Sequence, residues 1–303
     1  MKENDLIASA WPDYELIDSG LGQKLERYGK FVVVRPETQA LWAPSDLAQW
    51  KRAAAEFQWA EGKGSWKKAQ GAPSFPEEWE LLWNDIRFMV RLTSFKHTGV
   101  FPEQAPNWEW VRERVKALGG NGVRAAGARP QVLNLFGYTG IASIAATKEG
   151  ADVTQVDASK QSNAWAKENA ARSGVADGIR YLLDDALKFV EREVRRGACY
   201  DGVILDPPAF GRGAKGEVWH IETHLPRLLG SLKKLLAERR GAFFLLNGYA
   251  AGYSPRSFLQ AVEGIFPEAA DKAGDGEFGE LSIKESSSLR RVPSGIYVRF
   301  SRG

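Results

Sequence analysis

The chain has 303 residues, 44% of them hydrophobic and 11% aromatic, enough to build a sizeable core as one large or two modest domains. A net charge of +3 permits an RNA partner without requiring one. With no charged-then-apolar leader and no apolar run near about eighteen residues, the expectation is a soluble, unexported, cytoplasmic protein without a membrane span. A single cysteine, Cys199, excludes an internal disulfide, and with His97, His220 and His224 it makes no zinc-ligand spacing, so no metal is expected.

Nine of the eleven tryptophans precede residue 111, which sets off a β-rich, Trp-rich module at 1–104 from a second domain at 105–303. Within the module, 14–17, 31–35 and 40–42 read as short strands, 46–57 as a short helix or irregular arm, and 80–92 as a hairpin turning at Asn84-Asp85. Tryptophans interleaved with Lys63, Lys67 and Lys68 either stack on unpaired bases or fill a small core. Residues 1–110 carry 13 Lys and Arg against 16 Asp and Glu, leaving 28 against 22 for the rest, so the basic excess lies in the second part. Its clusters, Arg112, Arg114, Lys116 and Arg124, then Lys233, Lys234, Arg239 and Arg240, either track phosphates or form solvated helix faces. Residues 105–118 predict a helix with a core stripe of Trp108, Val111, Val115 and Leu118, and 121–130 a Gly/Ala/Arg-rich connection.

The stretch 131–140 organises the second domain: an apolar strand stops at Gly137-Tyr138-Thr139-Gly140, and 141–149 has helical composition. Glycines there permit unusual backbone conformations and close ligand approach, and the helix N-terminus offers free N–H groups. A second strand, 151–156, ends in Asp157-Ala158, at the offset where a βαβ unit holds a ribose; alternatively, Asp157 caps the helix at 159–173. A third strand, 180–183, ends in Asp184-Asp185, and a fourth, 201–205, in Asp206-Pro207-Pro208-Ala209-Phe210. All four endings fall on one edge of a parallel sheet, where ligands bind in open α/β folds. The paired prolines make a rigid lip presenting Asp206 and Phe210. A dinucleotide-dependent oxidoreductase would want a third glycine that this turn lacks.

Asn134-Leu135-Phe136-Gly137-Tyr138-Thr139-Gly140, Asp157, Asp184-Asp185 and Asp206-Pro207-Pro208-x-Phe210 resemble the motifs of class I S-adenosylmethionine-dependent methyltransferases. More narrowly, the pattern is similar to bacterial large-subunit ribosomal RNA methyltransferases with N-L-F-x-Y-T-G and D-P-P-x-F. Residues 96–104 also look like the K-T-G-x-F-x-D-Q segment preceding the catalytic domain of that group. The resemblance implies an α/β fold with a Rossmann-like seven-stranded sheet and S-adenosylmethionine as cofactor. It also implies roles: Asn134 and Phe136 to Gly140 near the methionine portion, Asp157 and Ala158 at the ribose, and Asp185 with the Ala186 N–H at the adenine. Asp184 and Asp206 are further contacts, and Gln104 and Thr98 would close over the methionine end. Asp206, the Pro207-Pro208 carbonyls and Asn247 would orient the acceptor. Phe210 would either stack on an extruded base or pack beneath the 211–216 loop, where Arg212 and Lys215 could meet phosphate.

One departure narrows the chemistry. Family members that methylate C5 of cytosine use a cysteine after the fifth strand, but 244–249 holds none, and Cys199 lies at the opposite end of the fourth strand. Direct attack by a ring nitrogen, an exocyclic amine or an oxygen is therefore expected, with Asn247 and Tyr249 available to bind the acceptor. Helices are expected at 226–238 and 254–265, and closing strands at 281–285 and 295–300 joined by a basic connection at 290–295. The function implied is methylation of RNA, ribosomal by resemblance; a small molecule or protein is the alternative acceptor.

Overall fold

The computed structural model describes residues 1–60, 62–69, 76–120, 127–213, 216–249, 252–270 and 275–303. In chain order its elements are β1 (Lys2–Glu3), β2 (Leu6–Ala8), β3 (Tyr14–Gly20), β4 (Gln23–Tyr28), β5 (Phe31–Pro36), α1 (Leu47–Trp50), β6 (Ala55–Ala60), β7 (Lys63–Lys68), β8 (Glu78–Trp83), β9 (Ile86–Arg91) and α2 (Ala105–Gly120). There follow β10 (Gln131–Leu135), α3 (Ile141–Lys148), β11 (Asp152–Asp157), α4 (Lys160–Arg172), β12 (Ile179–Leu183), α5 (Ala186–Arg195), β13 (Gly202–Leu205), β14 (Phe210–Arg212) and β15 (Val218–His220). The chain closes with α6 (Ile221–Lys233), β16 (Phe243–Gly248), α7 (Pro255–Glu263), β17 (Glu277–Lys284) and β18 (Arg291–Ser301). Two compact units result: Met1–Leu6, Pro106–Glu280 and Gly295–Gly303 in the first, Ile7–Ala105 and Leu281–Ser294 in the second. A simple cut at 104/105 therefore misassigns both the first residues and the segment 281–294.

The first unit is built on a mixed sheet of order β12-β11-β10-β13-β16-β18-β17-β1, with β2 also paired to β17. The expected seven strands are present and, among the described residues, the two short N-terminal strands raise the count to nine. Strands β10, β13 and β16 run parallel and read as continuous apolar runs, Val132-Leu133 and Phe243 to Leu246 among them, because both faces are buried. Antiparallel β18 then pairs with β16, Phe244 opposite Phe300. Helices α4 and α5 start where Ser159 and Asp185 accept a backbone N–H with their side chains. Helix α6 starts earlier than expected, at Ile221, so Pro226 lies inside it. The connection expected over 121–130 falls largely outside the described residues.

The second unit contains the antiparallel run β3-β4-β5, with β6 parallel to β5 and β7 completing the sheet, and the separate hairpin β8-β9 turning at Asn84 (φ 50°). Strand β4 escapes a hydrophobicity reading because it carries Lys24 and Glu26. Glu26 is nevertheless fully buried, accepting from Arg35 Nε (2.6 Å) and Nη2 (2.8 Å) and from the hydroxyls of Tyr14 (2.8 Å) and Tyr28 (3.0 Å). Burial pushes its pKa up, but Arg35 and Lys24 outweigh burial and hold it at about 2. Residues 40–42 are not a strand, and 46–57 divides into the four-residue α1, capped by Asp46, and the start of β6. The basic connection also differs: Arg291 already belongs to β18, while Arg290 pairs with Asp18 (2.7 Å) and Glu285 (2.9 Å) inside this unit.

Candidate active site

The parallel strands end level with one another. Leu135 of β10 pairs with Val156 and with Leu205, Asp157 with Leu183, and Leu205 with Leu246, so the residues after each strand gather on one edge. After β10 the backbone alternates: Phe136 (φ 57°), Tyr138 (φ 46°) and Gly140 (φ 83°) are left-handed, while Gly137 is not. The expectation that both glycines supply conformational freedom therefore holds only at Gly140. Gly137 is needed for packing, since a Cβ there would lie 2.4 Å from Cγ of Gln155. The strain instead falls on two aromatic residues, which only a firmly held turn can impose.

Buried polar side chains do the holding. Asn134 Nδ2 donates to Ser143 Oγ (2.8 Å), which donates to Gln155 Oε1 (2.7 Å), and Gln155 Nε2 donates to the Tyr138 carbonyl (3.3 Å). Asn169 Nδ2 donates to the carbonyl of Thr139, itself buried (2.9 Å). The amide of Asn134 is thus engaged beneath the turn. Gln155, Ser143 and Asn169 are structural residues that sequence reasoning passed over, although a glutamine inside an apolar strand is a visible signal.

Asp157 ends β11 with both carboxylate oxygens facing backbone donors: Tyr138 N–H at 2.9 Å and Ser159 N–H at 2.8 Å. It ties the β10 turn to the start of α4, whose own cap is Ser159. Burial pushes its pKa above the usual aspartate range despite those two bonds. Ala158 follows it. Asp185 is the N-cap of α5, accepting from Lys188 N–H at 2.9 Å; Ala186 is the first helical residue; Asp184 accepts the Asp185 N–H and pairs with Arg192. Helix α3 differs from α4 and α5 in having no side-chain cap: Gly140 occupies that position.

Beyond β13, Asp206 N–H reaches back to the Leu135 carbonyl (3.4 Å), Pro207 is buried and Pro208 exposed. Phe210 opens the hairpin β14-β15 and is 52% exposed; residues 214 and 215 of the following loop, Lys215 included, lie outside the described residues. Under the lip sits Trp219, buried, its Nε1–H donating to the Pro208 carbonyl at 2.7 Å and its ring edge-on to Phe136 at 5.0 Å. Trp219 is one of two tryptophans after residue 110, a compositional signal that passed unused. Asn247, buried near the end of β16, accepts from Asn107 Nδ2 (2.9 Å), and Asn107 Oδ1 in turn accepts from Arg299 (3.2 Å).

Thr98 and Gln104 belong to the second unit, where both are buried, Gln104 ending a 3-10 turn over Pro102–Gln104. Cys199 is exposed and precedes β13, away from the edge where Asp206 lies. His220 ends β15 and His224 lies in α6; the main-chain N–H of His220 donates to His224 Nδ1 at 3.0 Å. Among the described residues no cluster of His, Cys, Asp and Glu could hold a metal ion, and no helix is long and apolar enough to cross a membrane.

The sequence model of a family described as S-adenosylmethionine-dependent methyltransferase matches residues 48–265. A solved SAM-dependent methyltransferase from Agrobacterium tumefaciens is 39% identical, with a TM-score of 0.89 over 99% of this chain and 94% of its own. A ribosomal RNA large subunit methyltransferase K/L from Pseudoalteromonas atlantica is 30% identical over 178 residues, 58% of this chain and 23% of that protein. Its counterpart from Alteromonas mediterranea is 30% identical over 190 residues, 62% and 25% respectively. The chain thus spans about a quarter of the length of these curated relatives.

Proposed function

Because the chain belongs to the family of S-adenosylmethionine-dependent methyltransferases, we propose that it methylates a base of ribosomal RNA by direct in-line transfer, without a cysteine nucleophile, in the cytoplasm. The residues fit the cofactor. The uncapped N-terminus of α3 leaves first-turn N–H groups for a carboxylate, whereas a side-chain cap takes one first-turn N–H in each of α4 and α5, that of Ser162 and that of Lys188. The carboxylate of Asp157 is held by two N–H groups and keeps lone pairs to accept the hydroxyls of a ribose. Ala158 follows at the same strand end, and the Ala186 N–H beside Asp185 offers a donor and acceptor for an adenine edge. Asp184, paired with Arg192, is an outer contact. Asn134 acts through the turn rather than by touching the ligand.

S-adenosylmethionine supplies a sulfonium methyl that is already electrophilic, so what the chain must add is alignment and a polar pocket organised in advance. The lip from Asp206 to Pro208 orients the acceptor, with Trp219 fixing the Pro208 carbonyl. Asn247 lies level with the lip and is oriented by Asn107 and Arg299, which suits it to hydrogen-bond an acceptor heteroatom. Exposed Phe210 beside that lip is the observation that carries the reading: a half-solvated ring next to the transfer site suits stacking on an unpaired base. The named activity of the relatives from Pseudoalteromonas and Alteromonas supports ribosomal RNA as its source.

Transfer of tritiated methyl to total RNA and total protein, each extracted from cells lacking the gene, tests this. Label confined to one ribosomal RNA band is expected. Label in protein, or in neither fraction while the cofactor is bound, overturns the RNA assignment.

A further inference from the structure

The hairpin β14-β15 pairs Phe210 with His220, Gly211 with Trp219 and Arg212 with Val218. Side chains alternate across a two-stranded ribbon, so Phe210, Arg212, Val218 and His220 share one face and Trp219 points to the other. The burial agrees: Trp219 is 5% exposed, Phe210 52% and Val218 43%, and Arg212 and His220 are also exposed. Phe210 and His220 are in edge-to-face contact at 5.1 Å, which makes a continuous aromatic surface leading away from the lip. Glu217, just before β15, is engaged by Lys188 at 2.8 Å, and Glu222, just after it, accepts from the Tyr253 hydroxyl, so among the described residues of the two strands Arg212 is the charge the face presents.

We propose that this face binds the single-stranded RNA next to the methylated base, with His220 and Val218 against the flanking nucleobase and Arg212 on its phosphate. The inference rests on the RNA reading above and extends it from the acceptor base to its neighbours. Charge and chemistry select the occupant: a basic group and flat apolar rings in one strip match an unpaired strand, whose every nucleotide offers a π-face and a phosphate. The other face of the hairpin is anchored by the bond from Trp219 to Pro208, so the strip sits in fixed register with the transfer site.

Arg212→Ala, Val218→Ser and His220→Ala test it. All three side chains are exposed, and the bonds of His220 to His224 run through its main chain. With the labelled RNA as substrate, KM for RNA should rise about 5- to 50-fold for each of Arg212→Ala and His220→Ala and less for Val218→Ser. KM for S-adenosylmethionine and kcat at saturating RNA should stay within about two-fold. For Arg212→Ala the slope of log affinity for RNA against log salt should fall by about 0.7. Unchanged KM for RNA in all three folded variants overturns the inference while wild-type RNA methylation stands. Wild-type enzyme that labels protein or nothing overturns both, and is recognised by the wild type alone.

Discussion

Trp219 and Pro208 are joined by a 2.7 Å hydrogen bond from the indole N–H to the lip carbonyl, and the same indole meets Phe136 of the β10 turn at 5.0 Å. One buried side chain thus touches both halves of the proposed site, and the two contacts can be separated. Trp219→Phe keeps an aromatic body against Phe136 but loses the N–H. Affinity for S-adenosylmethionine by calorimetry should stay within about three-fold while kcat falls about ten-fold, the loss of one hydrogen bond with a carbonyl left unpaired. Trp219→Ala should weaken both. Equal kcat in wild type and Trp219→Phe would show that the indole is only packing.

In the proposed site, Asp157 would tie cofactor affinity to pH. Its pKa is raised by burial, and the ionised form is a charged acceptor on both oxygens, whereas protonation removes the charge and turns one of the oxygens facing Tyr138 and Ser159 into a donor. Affinity should therefore decline as pH falls through that raised pKa, at higher pH than an ordinary aspartate would dictate. Asp157→Asn should flatten the profile and weaken binding by about 10- to 100-fold near neutrality, the range for hydrogen bonds to a charged acceptor. Calorimetric titration across pH checks both, and an unchanged profile in the asparagine variant would remove Asp157 from the ribose.

A second pH effect belongs to stability. Burial raises the Glu103 carboxyl from an ordinary 4.5 to about 7, against the pull of Lys24 and Arg35. Below the lower value both folded and unfolded chains hold the proton, so this group costs nothing. Between the two values the unfolded chain ionises first and stability falls; above about 7 the loss, on the order of 3 kcal/mol, is complete. Glu103→Gln should raise the melting temperature at pH 8 and leave it nearly unchanged at pH 4. A shift of equal size at both would contradict this origin.

Glu26 carries the opposite sign. Its depressed pKa means its contribution is present above the ordinary 4.5 and lost as pH falls toward about 2. Glu26→Gln strands Arg35 as a buried cation and should cost about 3–5 kcal/mol in denaturant titration at pH 7. A cost under about 1 kcal/mol would mean that Arg35 finds another partner.

Gly137 tests the packing account of the turn. Gly137→Ala places a methyl 2.4 Å from Gln155 Cγ and should destabilise by about 1–3 kcal/mol. Adding Gln155→Ala relieves that contact, so the double variant should cost less than the two single costs summed. Strict additivity would return the glycine to a role in ligand approach.

Local patterns determined much of this protein. An apolar run, a Gly-x-x-Gly turn and an alanine-rich stretch are enough to specify β10, its turn and α3, because strand, turn and helix preferences act within about ten residues. The acidic residue that ends β11, those after β12 and the paired prolines after β13 are likewise written where they act, as is the hairpin at Asn84. Tertiary structure decided the rest. Strand β4 hides its nature because Glu26 is tolerable inside only once Arg35 of the next strand neutralises it and the two tyrosine hydroxyls donate to it. Residues 281–294 join the second unit through Arg290, whose partner Asp18 lies 272 positions away. The positive φ of Phe136 and Tyr138 is imposed from below by Gln155, Asp157 and Asn169, and Trp219 gains its importance from the carbonyl above it. Propensity is a property of neighbouring residues, whereas satisfying a buried charge or holding a strained turn needs partners that only the folded chain brings into reach.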